Sequence, residues 1–129
     1  MEKFELYGLT WHSNFKLLPS SFFAITLFGH VFSNYDTEKL KFILTNSTFG
    51  RDAANHESIH VMQANSFKTK YFAFYILYLY FWLKNIFIFG TKNNKAYYNI
   101  PFEKEAYANE KNYNYNEEVN FVSQWKKYK

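Results

Sequence analysis

The chain has 129 residues, the length of one ordinary domain, enough to build a single core but not two independent ones. It has no cysteine, which excludes a disulfide framework and a thiolate zinc site, so any metal must be held by histidine and carboxylate. Its formal charge of +4 comes from scattered lysines. Lys68, Lys70, Lys84, Lys92 and Lys95 surround the most apolar stretch and Lys126, Lys127 and Lys129 lie at the end, a placement that suits a membrane surface better than a nucleic-acid groove.

Aromatic residues make up 24% of the chain, so either the core is unusually aromatic or part of it meets lipid. The first residues, Met1 to Glu5, carry two acids and lack the basic start and apolar run of a secretory signal. A cytoplasmic or membrane-associated protein is expected.

Residues 22–32 (FFAITLFGHVF) are rich in aromatic and β-branched types and predict one or two strands, with Gly29 as the bend. Residues 40–45 (LKFILT) predict a further strand, reached through a polar turn at 34–38, and residues 46–51 a loop. Asp52 is placed to cap a helix, and the run from residue 53 to about 67 holds no Gly or Pro to break it.

Residues 71–83 (YFAFYILYLYFWL) contain no charge, and after Lys84 and Asn85 the apolar run continues over 86–89. A buried central helix, a membrane-inserted or spanning helix and an interfacial helix all fit this stretch. A polar turn follows at 90–95, and Pro101 sits where the first turn of a helix tolerates it, predicting a short helix over 102–111. Residues 112–116 read as a loop. Asn116 then caps a last amphipathic helix with Val119, Val122 and Trp125 on one face.

His56, Glu57 and His60 form an H-E-x-x-H motif inside the helix predicted after Asp52. Four-residue spacing puts both imidazoles on one face a single turn apart, so two nitrogens can close on one Zn²⁺ ion. Glu57 lies about 100° around the helix from His56, suited to a carboxylate that contacts the metal's water as general base instead of binding the metal. A catalytic zinc takes three protein ligands, and Glu103 and Glu105, on the short helix after Pro101, are the best-placed candidates for the third.

The stretches 55–63 (NHESIHVMQ) and 102–110 (FEKEAYANE) resemble the paired signatures of gluzincin metallopeptidases, and of small, uncharacterised bacterial H-E-x-x-H proteins with a hydrophobic segment between the two motifs. The resemblance covers residues 55–110. It implies that the first Glu of the second motif, Glu103, is the third ligand, and that Tyr107 stands where many gluzincins, the membrane-embedded CAAX prenyl endopeptidase type among them, have an Asp bracing a histidine. Tyrosine can hydrogen-bond an imidazole but supplies no negative charge, which keeps Glu105, with Asn109 one turn later, as the alternative ligand.

Gln63, one turn after His60, is expected either to orient a ligand or contact substrate, or to face solvent. His30 is read as a structural histidine or as a donor to a developing oxyanion. His12 carries no assigned role.

These readings converge on a single zincin-like metallopeptidase domain over residues 1–129, α+β in class. It has a small N-terminal antiparallel sheet, the H-E-x-x-H helix, a hydrophobic helix, a short Glu-bearing helix and a C-terminal amphipathic helix. The expected activity is hydrolysis of a peptide or protein substrate by a zinc-bound water that Glu57 activates, with possible membrane association through Tyr71–Phe89. The alternative is a membrane-associated interaction protein with a degenerate or structural metal site. No nucleic-acid partner is expected, because the aromatic run lacks interleaved Lys or Arg.

Overall fold

A computed structural model describes all residues, 1–129. The class is α+β, a four-stranded N-terminal sheet followed by six helices, and the chain divides into two compact units, Met1–Val61 and Met62–Lys129.

In the first unit, β1 (Lys3–Leu6) and β2 (Leu9–His12) form an antiparallel hairpin. Its two turn residues, Tyr7 and Gly8, both have positive φ (56° and 74°), the twist that a tight hairpin needs. A second hairpin, β3 (Ile25–Leu27) and β4 (His30–Phe32), turns at Phe28 and Gly29 in the same way, as expected for residues 22–32. The strand order is β1-β2-β4-β3. Because β2 and β4 run parallel, the sheet is mixed and not purely antiparallel.

Period-two alternation sorts its faces. Trp11 and Val31 are register partners with no exposed surface, packed in a core with Leu9, Leu40, Leu44 and Ala54, while Thr10, His12 and His30 lie on the other face.

Residues 40–45 are helical, not a strand. They belong to α1 (Thr37–Asn46), where the Asp36 carboxylate accepts the Lys39 N–H at 2.8 Å and caps the first turn. Leu40 and Leu44, four residues apart, bury one side of that helix completely. Residues 46–51 are not a loop, and Asp52 is not a cap. Ser47 stops α1 with its N–H on the Ile43 carbonyl, and its hydroxyl accepts the Gly50 N–H at 3.0 Å to open α2 (Thr48–Asn65). Gly50 suits this tight corner, since a Cβ there would lie 2.1 Å from the Ile43 carbonyl oxygen.

α2 is a single 18-residue helix, and the boundary between the two units falls within it.

The second unit is built on α3 (Tyr71–Phe89), followed by a 3₁₀ turn (Lys92–Asn94), α4 (Lys95–Tyr98) and α5 (Pro101–Asn109), with Pro101 at the first helical position as expected. Its core is aromatic. Phe102 lies 4.9 Å from the Phe74 ring and 5.0 Å from that of Trp125, and Tyr78 stacks parallel to it.

α3 is apolar on both sides. Phe74, Tyr78, Phe81 and Asn85 face inward, the Asn85 amide donating to the Ala96 carbonyl at 3.0 Å, whereas Phe72, Ile76, Leu79, Leu83 and Phe87 form an uncovered stripe one helical turn apart. Phe87 is 93% exposed, and only Phe74 and Asn85 along α3 are buried, so a buried central helix does not describe it. By length and composition α3 is long and apolar enough to cross a membrane.

The C-terminal helix is shorter than its pattern suggests. α6 covers only Tyr115–Glu118, because Asn120 takes a left-handed φ of 55° and the Phe121 N–H closes back on the Asn116 carbonyl at 2.8 Å. Trp125 is buried from a separate 3₁₀ turn (Trp125–Tyr128), and Val122 is exposed.

Candidate metal centre

The H-E-x-x-H residues lie in the middle of α2, as expected. Unbroken helical geometry brings the Nε2 atoms of His56 and His60 to 3.1 Å, their rings nearly perpendicular at 82°. Both rings are buried, at 6% and 7% exposure. Two ligands at about 2.0–2.1 Å from a tetrahedral zinc stand about 3.3 Å apart, so the imidazole separation fits a shared ion.

Glu57, also buried, accepts a hydrogen bond from the hydroxyl of Thr26 on β3. Thr26 is the register partner of Val31 and so points to the core side of the sheet. Its role is not readable from the sequence, since it depends on which face of a three-residue strand turns inward.

On α5, Glu103 is 3% exposed and one carboxylate oxygen accepts the Tyr78 hydroxyl at 2.6 Å. His56, His60 and Glu103 together form a buried group whose ligand atoms all lie within 4.8 Å of one another and which can hold a metal ion. Two imidazoles and a carboxylate match the His/His/Glu set of catalytic zinc sites.

Glu105, the alternative ligand, has no exposed surface and both oxygens are engaged. One accepts Gln63 Nε2 at 2.9 Å and the Ser123 hydroxyl at 2.5 Å, the other the Tyr115 hydroxyl at 2.6 Å and the Gln124 N–H at 2.7 Å. It organises the second unit. Gln63 faces neither solvent nor an open site, for it is fully buried and its amide also donates to the Phe102 carbonyl at 2.8 Å.

Tyr107 is 43% exposed, with its hydroxyl 3.1 Å from that of Tyr97. Burial pushes its pKa up to about 12; the bond to Tyr97 works against this and the Glu103 charge adds to it, so Tyr107 is a neutral hydroxyl at pH 7. Asn109 donates to the Glu105 carbonyl at 2.8 Å and to the Tyr128 hydroxyl at 3.0 Å. Tyr78, not singled out from the sequence, is the hydroxyl on the inward face of α3 that meets Glu103.

Comparison with family models, curated proteins and solved structures finds no match. The arrangement of side chains therefore carries the functional reading alone.

His30 lies on the outer face of the sheet beside His12, whereas Thr26 points to the inner face. This placement gives the oxyanion reading of His30 no support.

Proposed function

We propose that this protein is a zinc-dependent peptidase in which His56, His60 and Glu103 hold the ion and Glu57 is the general base. The observation that carries the reading is the buried His/His/Glu group, with the carboxylate of the intervening Glu57 held by the Thr26 hydroxyl. A zinc ion bound there supplies a Lewis acid that makes a water acidic and polarises a carbonyl.

Glu57 takes the proton of the attacking water and returns it to the departing amine. Thr26 fixes which way the carboxylate points, and Tyr78 holds the Glu103 carboxylate by one oxygen. β3 is an edge strand that carries Thr26, so an extended substrate peptide can add alongside it within reach of Glu57.

The test is removal of metal. Hydrolysis of a mixed pool of fluorogenic peptides should fall to background after treatment with a chelator and return on adding back zinc. Activity indifferent to chelation would remove the zinc from the proposal.

A second reading concerns location and rests on the uncovered stripe of α3. Lys68 and Lys70 precede the helix and Lys92 and Lys95 follow it, all exposed, so both ends carry cations suited to anionic headgroups. We propose that this helix associates the protein with a membrane; alone, without catalysis, it would describe an interaction protein with a structural metal site. The purified chain should float with vesicles containing anionic lipid, and Phe87→Ser with Leu83→Ser should leave it at the bottom of the gradient. Equal recovery of both chains in the bottom fraction would refute the association.

A further inference from the structure

The outer face of the sheet carries two cross-strand rows that the metal centre does not use. The register sets Glu5, Thr10 and His30 in one row and Lys3, His12 and Phe32 in the next. The two histidines meet diagonally and are hydrogen-bonded ring to ring, with His12 Nε2 at 2.9 Å from His30 Nδ1. The ring of His12 is clamped, stacked on Phe32 at 4.6 Å and 13°, and Phe32 is in turn braced by Phe15.

Two ligands at about 2.0–2.1 Å from one ion and at right angles to each other stand about 2.9 Å apart, the spacing of neighbouring positions in square-planar or octahedral coordination. The separation of these imidazoles is compatible with that spacing.

We propose that His12 and His30 form a second metal site, at the surface, for a divalent transition ion of tetragonal preference such as Cu²⁺ or Ni²⁺. Imidazole nitrogen suits these ions, and water fills the remaining positions. Glu5 supplies negative charge beside the pair; its carboxylate takes the Thr10 hydroxyl at 2.9 and 3.0 Å, and its charge acts on His12.

This site is independent of the peptidase reading, and one titration separates them. Cu²⁺ is titrated by calorimetry into wild type, into His60→Ala, and into His60→Ala carrying either His12→Asn or His30→Asn, with each fold checked by its melting temperature. The His60→Ala chain is expected to keep a Cu²⁺ site that weakens at least 10-fold when either His12→Asn or His30→Asn is added, and the nitrogen hyperfine lines of its copper spectrum should fade with it. Cu²⁺ binding to His60→Ala that neither surface substitution changes, or no binding there at all, would overturn the second site without touching the first.

Discussion

Glu57→Gln is expected to keep its zinc and to lose peptide hydrolysis by about 10²–10⁴-fold, the usual contribution of a positioned proton-transfer group. Gln keeps the shape of Glu57 and can still accept the Thr26 hydroxyl through its amide oxygen, so α2 and its contact with β3 remain intact. Only the proton acceptor is lost. Zinc per chain, melting temperature and turnover of the fluorogenic peptide pool, measured on one preparation, check this. A variant with full zinc and full activity would remove Glu57 from the chemistry.

The second large effect is on stability. Glu105→Ala strips the acceptor from four donors at once, and one of them, Gln63, has no exposed surface, whereas the Tyr115 hydroxyl keeps a bond to Tyr128. A donor left buried and unpaired costs about 1–3 kcal/mol, so the substitution should destabilise the protein by about that much, a sizeable part of an ordinary stability of about 5–15 kcal/mol. Urea unfolding followed by tryptophan fluorescence reads this, since Trp125 is buried one residue beyond Gln124, whose N–H Glu105 holds. A loss below about 1 kcal/mol would mean that water replaces the carboxylate, contrary to the role assigned to it.

The contrast between Glu103 and Glu105 shows where sequence reasoning reaches and where it stops. The H-E-x-x-H helix was legible because four-residue spacing fixes two side chains on one helix face whatever the rest of the chain does, and Pro101 announced the helix that carries both acids. Which acid joins the histidines was not legible from spacing. That depends on which direction each faces, and the donors that claim Glu105 come from α2, α6 and the segment after it.

Residues 40–45 look like a strand in the sequence because Phe42, Ile43 and Thr45 favour strands, while the signals that decide are the Asp36 cap and the Leu40/Leu44 spacing. The β1–β2 hairpin is faint in the sequence, although alternation around Tyr7 and Gly8 marks it, because four-residue strands give a weak periodic signal. For α3, both faces are apolar, so no hydrophobic pattern could tell the face that packs on Phe102 from the one left open.

The most direct test of the central claim is zinc per chain, by elemental analysis after loading and desalting, for wild type, His60→Ala, Glu103→Ala and Glu105→Gln. The account expects about one zinc in wild type, a loss in both His60→Ala and Glu103→Ala, and retention in Glu105→Gln, as three protein ligands around a catalytic ion require. Zinc retained in Glu103→Ala, or a wild-type chain that binds none when supplied with it, would contradict the assignment of His56, His60 and Glu103 as a metal centre.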